Sequence, residues 1–477
     1  MADLLKLKNK LETQEIDLLA GTYKLRHGSW ATGTPQMATD YKPVPYGAHP
    51  SFQNYLTQVE TMDLIAQDTT HSTIRAAQQD ITQALNAARV WNQHPLWTIY
   101  SVTSGTDAWF LHWNIDGETE KRSLIYEGSL AGINEQCAEP FIYSNVSLLR
   151  MALIRHPFWE PVVANSEGIS KTTISSLGGS QTFSSVDGDV WARIVSARLN
   201  GKAGSGPIHR TWMGIREEMG GVSNFESVWE LENGTKYNGA ANSTSRADYS
   251  GSAHVRDTSL SASLTAYVTL SVGAMCAAEG HADYIHQAGE YLVLCRCAVD
   301  AGTVGLQMRY GYELGTMIPC EEVFINNTSW RLIELGNVTI PPTGGDTINL
   351  TGANAQYTMI QLYAEQVSGT STLDIDCLVM IPRHHLWTAI GGAIGTSEFY
   401  SHILETTEND KYSCYGTSAS DPGYILEYSI KDWYLPIGDG IVVVAGERES
   451  IQDKDDNMGL SILYYPRWSM YRSDSGT

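Results

Sequence analysis

The pattern of apolar and polar positions predicts β-strands along most of the chain. Between residues 260 and 272 every second residue is apolar, and Ser, Thr or Tyr fills the positions between. A period of two is typical of a half-buried strand, so this uncharged stretch is interpreted as a strand and not as a membrane span. Shorter apolar segments separated by Gly, Asn and Thr turns predict further strands, among them 96–102, 108–114, 123–126, 147–154, 194–199, 211–216, 291–297, 305–310, 359–364 and 373–381.

One segment breaks this pattern and predicts a helix. Between His71 and Trp91, apolar residues recur at intervals of three and four, at Ile74, Ala77, Ile81, Leu85 and Ala88. Thr and Ser residues at 69–72 supply candidate N-caps, and Pro95 follows the last periodic residue. We therefore expect a mainly β protein with a single helix.

The order of the predicted elements divides the chain into four segments. Residues 1–165 form a β-rich domain that carries the helix, and residues 166–222 begin a β-sandwich. Roughly 55 residues are too few to close a sandwich, so its remaining strands must lie elsewhere. Residues 223–382 have the strand spacing of a complete jelly-roll sandwich, and residues 383–477 supply the strands that complete the interrupted one.

Composition and charge exclude several classes of function. The 477 residues carry a net charge of −22, although only 18% of them are charged. Such a chain lacks the clustered Lys and Arg that nucleic-acid binding requires. Half of the net charge falls in residues 223–382, and we expect these acidic side chains to be exposed to solvent. The first 14 residues contain no apolar core of signal-peptide length, which predicts synthesis in a cytosol, and the seven widely spaced cysteines predict reduced thiols.

The sequence contains no strong catalytic or metal-binding motif, so we predict neither an enzyme nor a cofactor. Paired carboxylates remain the enzymatic alternative, because a glycosidase needs two acids at the right separation. The candidate pairs are Asp187 with Asp189, Glu321 with Glu322, and Asp374 with Asp376. Alternation places Asp374 and Asp376 on one face of a strand, which we interpret as a solvated face. A weak calcium candidate is formed by Asp453, Asp455, Asp456 and Asn457, but it lacks the Gly and Glu of an EF-hand loop.

Aromatic side chains near turns and strand ends of residues 223–382 are candidates for glycan binding, because flat rings stack on sugar faces. The candidates are Trp229, Tyr237, Tyr249, Tyr310 and Tyr312. Packing in a core or at a sheet edge is the alternative explanation for each of them.

Several short segments, in this order, resemble the distal tail proteins and related minor tail proteins of long-tailed bacteriophages. They are Ser147–Glu160 (SLLRMALIRHPFWE), Asp187–Val190 (DGDV), Thr211–Arg216 (TWMGIR), Trp433–Pro436 (WYLP) and Tyr464–Trp468 (YYPRW). The segment 223–382, with Asp248–Ser252 (DYSGS) and Trp330–Gly336 (WRLIELG), resembles the jelly-roll carbohydrate-binding modules carried on such proteins. The shorter distal tail proteins lack this inserted segment.

The resemblance implies a fold and a role for each segment. Residues 1–165 would form a ring, hexameric in that family, that continues the tail tube. A ring needs strand edges that pair with neighbouring subunits, and we hypothesise that segment 4–25, which precedes the main part of the domain, supplies such an exchanged edge. Residues 166–222 with 383–477 would form a galectin-like sandwich that projects outward. The implied partners are further copies of the chain, the tail tube protein and baseplate hub proteins, together with host surface polysaccharide, and the implied location is the virion tail tip.

Two other hypotheses remain open at the level of the sequence. One is a tail-associated polysaccharide depolymerase that uses paired carboxylates. The other is a free glycan-binding or adhesin-like protein, which explains the aromatic jelly roll but not the helix-bearing N-terminal domain.

Overall fold

The computed structural model describes most of the chain in segments separated by gaps. These are residues 4–26, 30, 37–44, 47–93, 108–114, 119–132, 146–175, 177–201, 208–217, 225–271, 288–311, 317–340, 358–369, 372–383, 386–390, 401–406, 412–415, 425–426, 434–448 and 457–469. Within them the protein is mainly β with one α-helix, which confirms the predicted fold class. The predicted strand at 96–102 lies outside the described residues.

The N-terminal part consists of an antiparallel sheet, one helix and a separate hairpin. The elements are β1 Leu4–Asn9, β2 Glu15–Asp17, β3 Tyr23–Leu25, β4 Met37–Val44, β5 Gly47–Tyr55, β6 Gln58–Gln67, α1 His71–Gln93, β7 Trp109–Asn114, β8 Lys121–Gly132, β9 Val146–Arg155 and β10 Glu160–Pro161. The sheet has the order β2-β1-β7-β8-β9-β6-β3, β10 pairs with β8, and β4 pairs with β5. Strand β1 pairs with β7 of its own chain, and the expectation that segment 4–25 supplies an edge to a neighbouring copy stays a prediction.

Helix α1 covers one face of this sheet, as its apolar spacing predicts. Its buried residues include Ile74, Ile81 and Leu85, which pack in one core with Met62 and Leu153 of the sheet. The hydroxyl oxygen of Thr70 accepts a hydrogen bond from the backbone N–H of Thr73 (3.3 Å), which caps the helix N-terminus. The predicted helix is therefore confirmed, with its start at His71.

The next strands form a sandwich whose two sheets draw on separate parts of the chain. The first part contains β11 Asn165–Ser175, β12 Gly179–Val186, β13 Val190–Gly201 and β14 Ile208–Glu217. The second part lies beyond residue 386, and we call the two parts together the split sandwich. Its core includes Ile194 and Ile215 from the first part, and Val442 and Ile462 from the second.

A second sandwich, which we call the inserted module, lies between these two parts of the chain. Its strands are β15 Val228–Glu230, β16 Thr235–Lys236, β17 Ala241–Ser243, β18 His254–Asp257, β19 Thr265–Ser271, β20 Gly289–Val299, β21 Thr303–Gly311, β22 Ile318–Ile325, β23 Arg331–Ile340, β24 Met359–Ser368 and β25 Leu373–Pro382. One sheet has the order β17-β18-β25-β20-β23, with β15 paired to β25, and the other has the order β16-β19-β24-β21-β22.

The second part of the split sandwich follows the inserted module. It contains β26 Trp387–Ile390, β27 Ser401–Thr406, β28 Tyr412–Tyr415, β29 Ile425–Leu426, β30 Tyr434–Leu435, β31 Gly438–Arg448 and β32 Asn457–Arg467. Strands β31 and β32 each lie between two strands of the first part, in the orders β12-β31-β14-β26-β29 and β11-β32-β13-β27-β28. Each half of the split sandwich therefore completes the sheets of the other.

The inserted module packs directly against the split sandwich. Trp212 and Val443 share one continuous apolar core with Val379 and Ile381 of the module. At Gly214 a Cβ atom would lie 2.1 Å from the carbonyl oxygen of Pro382, so the two backbones approach too closely for any side chain there. The split sandwich and the inserted module therefore pack face to face, with β14 and β31 of one against β25 of the other.

The strand predicted from the alternation at 260–272 is shorter and more buried than expected. Strand β19 begins at Thr265, because Ser261 and Ser263 form a local turn in which the N–H of Ser263 donates to the Ser261 hydroxyl (3.2 Å). Tyr267, on the predicted polar face, is buried, and its hydroxyl lies 3.0 Å from the carbonyl oxygen of Val255. A bulge after Ala266 turns this side chain into the core.

Candidate ligand-binding face

The outer side of the sheet β16-β19-β24-β21-β22 collects polar side chains in the inserted module. Along β21, Leu306 and Met308 point into the core, so Gln307 and Arg309 lie on the opposite face. Strand β24 repeats this arrangement, because Ile360, Leu362 and Ala364 are core residues. We define the polar face as Thr269, Gln307, Arg309, Glu322, Gln361, Tyr363 and Glu365.

Strand register arranges these side chains in two adjacent rows across the sheet. In one row Gln361 lies between Thr269 on β19 and Arg309 on β21. In the next row Gln307 lies between Tyr363 on β24 and Glu322 on β22. Residues in a row are neighbours on the same face, so one bound molecule can contact several of them.

The Arg309 guanidinium group is held in place by its neighbours. It lies 3.8 Å from the centroid of the Tyr363 ring, and its Nε donates a hydrogen bond to Oε1 of Gln307 (2.8 Å). A guanidinium group offers five N–H donors, and the hydrogen bond to Gln307 uses only one of them. Arg309 is thus a pre-oriented donor group on a half-buried surface.

Three buried polar atoms of this face have no hydrogen-bond partner among the described residues. They are Oγ1 of Thr269, Oε1 of Gln361 and Oε1 of Glu322. The side chains of Gln361 and Thr269 are only 3% and 7% exposed. Buried polar atoms in native proteins are nearly always hydrogen-bonded, so we expect bound water or a ligand to supply the missing bonds.

The two carboxyl groups of the polar face lie close together. A Cβ atom on Gly305 would touch both the Glu322 carboxylate and the Glu365 side chain, so the absence of a side chain at Gly305 makes room for both. Desolvation, and secondly the Glu365 charge, raise the pKa of Glu322. The face therefore combines donors from Arg309 with amide and carboxyl acceptors, a combination that suits the hydroxyl groups of a sugar.

The aromatic residues predicted from the sequence do not form this face. Trp229 is 1% exposed and belongs to the apolar core, where its Nε1 donates to the carbonyl oxygen of Glu226 (3.0 Å), so its assignment as a stacking platform is wrong. Tyr310 also packs against the core, and the Tyr249 ring lies 5.5 Å from that of His254, at the other sheet of the module. Tyr237 is half-buried in the loop after β16, and Tyr312 lies outside the described residues.

Sequence reasoning missed Arg309, Gln361 and Tyr363, although a signal for them exists. The segments GLQMRY at 305–310 and MIQLYA at 359–364 both alternate apolar and polar residues. Each pattern predicts a strand with a polar face. Only the register shows that the two strands are neighbours and that their polar faces coincide.

Asp374 and Asp376 are fully buried, so their interpretation as a solvated face is wrong. Both belong to a cluster of charged residues, which we call the charge cluster, consisting of Arg246, Asp248, Arg256, Arg296, Asp300, Asp374 and Asp376. Arg296 Nη1 donates to Asp376 (2.6 Å), and Arg246 Nε donates to Asp374 (2.9 Å). Part of the acidity of residues 223–382 is therefore buried beside arginine and not displayed at the periphery, contrary to expectation.

The charge cluster fastens a loop to the sheet of β18, β25 and β20. The backbone N–H of Ser250 donates to the Asp376 carboxylate (3.0 Å), and the Ser250 hydroxyl lies 2.9 Å from both Asp376 and Glu230. Burial, and secondly the Asp376 charge, raise the pKa of Glu230 to about 8. Asp374 and Asp376 are buried and paired with guanidinium groups, so they present no catalytic pair to solvent.

The other two predicted carboxylate pairs lie outside the charge cluster. Glu321 and Glu322 are successive residues of β22 and point to opposite faces of the sheet. Asp189 accepts hydrogen bonds from the backbone N–H and the hydroxyl of Ser469 (2.5 and 2.8 Å), which fixes the end of β32. Asp453, Asp455 and Asp456 lie outside the described residues, and Asn457 begins β32.

Neither a metal-ligand cluster nor a membrane helix occurs in the described segments. Within them, no group of three or more His, Cys, Asp or Glu side chains is arranged to hold a metal ion. No helix in the same segments is long and apolar enough to cross a membrane.

Comparison with known proteins finds similarity at the level of structure alone. No protein-family model and no curated protein matches the sequence. The SPP1 Dit protein, described as a paradigm of the hub adsorption apparatus in phages that infect Gram-positive hosts, is 7% identical, with a TM-score of 0.22. The match covers 78% of this chain and 99% of that one.

Two further structures illustrate the range of similarity. A chain of the phage P2 baseplate in its activated conformation with Ca is 8% identical, with a TM-score of 0.24, and the match covers 79% of this chain and 98% of that one. A chain of the infectious bursal disease virus Gt strain is 9% identical, with a TM-score of 0.14, and the match covers 64% and 80%. These TM-scores are too low to support an argument about function.

Proposed function

We propose that this chain is a structural component of a bacteriophage tail tip or baseplate. In this proposal residues 1–165 form a ring that continues the tail tube. Residues 166–222 with 383–477 form an outward sandwich, and residues 223–382 form an inserted module that binds host surface glycans. Its partners are further copies of the chain, the tail tube protein and baseplate hub proteins.

The observation that carries the proposal is the meeting of three segments on which the sequence resemblance rests. Trp159, from the first segment, and Trp468, from the last, form a β-bridge with backbone N–H to carbonyl distances of 2.9 and 3.0 Å. Gly188, from the second segment, bridges to Arg467. These three segments are distant in sequence but meet at one place. Their meeting supports a shared structural role, which is to join the N-terminal sheet to the split sandwich.

Buried charges connect the two sides of this junction. The Glu160 carboxylate accepts two hydrogen bonds from Arg193 (2.8 and 2.7 Å) and one from Arg467 (2.8 Å), and all three residues are buried. Arg193 also lies 4.8 Å from the centroid of the Tyr465 ring. A ring-forming domain that carries an outward sandwich needs such a fixed connection, because a flexible one would not hold the sandwich in position.

Ring formation tests the structural part of the proposal. The purified full-length chain, alone and with the tail tube protein of its phage, is imaged by electron microscopy and weighed by native mass spectrometry. Closed rings, or rings capping tube ends, are expected. A protein that stays monomeric under both conditions would contradict the proposal and favour a free glycan-binding protein.

Glycan binding rests on the polar face and has its own test. Polysaccharides extracted from bacterial surfaces are screened for binding, and Arg309→Ala and Gln361→Ala are expected to weaken binding of any positive hit about tenfold each, as loss of one directed hydrogen bond predicts. Arg383→Ala, at an exposed arginine just beyond β25, is the matched control. Equal binding by all four proteins would exclude this face as the site.

The same incubations separate binding from hydrolysis. A depolymerase would release reducing ends, and Glu322→Gln would abolish their release because it removes the candidate acid. We expect binding with no release of reducing ends.

A further inference from the structure

The two edges of the N-terminal sheet carry opposite charges on the same face. Along the path β2-β1-β7-β8-β9-β6-β3, strands β2 and β3 are the two edges. Glu15 and Asp17 of β2 lie opposite Lys8 and Lys6 of β1. The neighbours Leu5 and Leu7 point to the helix side, so Glu15 and Asp17 lie on the face that the helix does not cover.

Strand β3 shows the complementary pattern. Tyr23 and Leu25 pack towards the helix side, with the core residues Ala66 and Leu64 opposite them, so Lys24 lies on the uncovered face. Strand β2 therefore has an apolar residue, Ile16, between two acidic ones. Strand β3 has a basic residue, Lys24, between two apolar ones. Residues opposite each other in a sheet share a face, so a parallel pair with Lys24 opposite Glu15 also places Leu25 opposite Ile16.

Strand direction is consistent with this pairing in a ring. Every neighbouring pair along the path is antiparallel, and the path has seven strands, so β2 and β3 run in the same direction. Rotation about a ring axis preserves strand direction, and β3 of one copy would meet β2 of the next as a parallel pair. Two different edges in contact give a head-to-tail interface, the kind from which cyclic rings are built.

We propose that β3 of one copy pairs with β2 of the next and extends the N-terminal sheet around a ring of identical chains. This inference rests on the proposed ring-forming function and names the surfaces that close the ring. Lys24 is exposed, and Glu15 is 55% exposed while it pairs with Lys6 (3.2 Å). Like charges on both edges would keep copies apart, and the opposite charges observed attract them.

Charge-reversed variants of the full-length chain test the pairing. Glu15→Lys gives both edges a positive charge, and Lys24→Glu gives both a negative charge. Each variant alone is expected to form closed rings about tenfold less than the wild type or worse, because a ring multiplies the loss at every interface. Native mass spectrometry gives the ring fraction. Glu127→Lys, an exposed site in the central strand β8 and away from both edges, is the matched control that keeps its rings.

Mixing the two variants gives the decisive measurement. In an alternating ring each reversed charge at position 15 would face a reversed charge at position 24, and each native Glu15 would face a native Lys24. Equimolar mixtures are therefore expected to recover rings with an even number of chains, and recovery also shows that both variants fold. Rings that persist in either variant, or a mixture without rings, would overturn the edge pairing while leaving ring formation intact. A wild-type chain that forms no ring would overturn the proposed function together with this inference.

Discussion

At the scale of single residues, the most informative feature of the inserted module is the burial of its acidic side chains. Asp374 and Asp376 look like ordinary surface acids in the sequence, yet arginines from three other parts of the module neutralise them. Glu230 lies at the margin of this cluster, beside Asp376, and its carboxylate accepts a hydrogen bond from the Ser250 hydroxyl (2.9 Å). Burial of a carboxyl group beside another carboxylate favours its protonated form.

The first prediction concerns the pH dependence of stability at Glu230. Its pKa is about 8 in the folded chain, against about 4.3 for an unfolded Glu. Between these values the folded state keeps a proton that the unfolded state releases, so the free energy of unfolding falls as pH rises through this window. Glu230→Gln removes this dependence, which amounts to at most about 1.4 kcal/mol per pH unit.

Urea unfolding followed by fluorescence at several pH values measures the effect. The variant should gain stability relative to the wild type from pH 5 to pH 8, while the exposed control Glu290→Gln should run parallel to the wild type. A Glu230→Gln profile parallel to the wild type would show that the carboxyl group titrates normally.

At the scale of elements, a glycine decides how closely the helix approaches the sheet. Gly128 of β8 lies beneath α1, where a Cβ atom would be 2.8 Å from the carbonyl oxygen of Ala152 and 2.9 Å from Cδ2 of Leu85. The backbone oxygen cannot move without shifting β9, and Leu85 is a core residue of the helix. Close packing of α1 against the sheet therefore requires a glycine at position 128.

The second prediction is that Gly128→Ala destabilises the N-terminal part by about 1–3 kcal/mol, because extra volume in a packed core forces shifts of the backbone. At Gly132, further along the same strand, a Cβ atom would meet no other atom within 4 Å, so Gly132→Ala is the control with little effect. Thermal unfolding of both variants, with hydrogen exchange of α1, measures the difference. If Gly128→Ala unfolds at the same temperature as Gly132→Ala, with equal hydrogen exchange of α1, then the helix tolerates the added methyl group.

At the scale of the whole molecule, the junction around Glu160 connects the N-terminal sheet to the split sandwich. Although burial opposes its ionisation, the Arg193 and Arg467 guanidinium groups hold the pKa of Glu160 well below its usual range. A group with a lowered pKa stabilises the fold above its unfolded pKa, and this contribution is lost as pH falls below about 4.

The third prediction is that Glu160→Ala destabilises the protein by about 3–5 kcal/mol at neutral pH, since two buried guanidinium groups lose their carboxylate. The penalty should shrink below about pH 4, where the wild type begins to lose the same contribution. Hydrogen exchange should rise in both β10 and β32, which lie on the two sides of the junction. If hydrogen exchange rises in only one of β10 and β32, the junction does not couple the N-terminal sheet to the split sandwich. Glu127→Gln, at an exposed site, is the control.

Local patterns in the sequence determined the class of the fold and several of its elements. A period near 3.6 over residues 74–88 specifies α1, because its apolar stripe must cover a sheet. Short apolar segments between turns specify strands such as β9 and β14. These signals depend on neighbours in the chain, so they can be read without a structure. The shortage of residues between 166 and 222 likewise requires strands from elsewhere, and β31 and β32 each lie between two strands of that first part.

Tertiary structure alone decided the sites. Whether Asp374 faces solvent or arginine depends on which loops lie over β25, and whether Gln361 neighbours Arg309 depends on the pairing of β24 with β21. Trp229 became a core residue because β15 pairs with β25 inside the apolar layer. The alternation of a strand tells which residues share a face, but burial and neighbours follow from contacts between residues far apart in the chain, and these exist only once the sheets have formed.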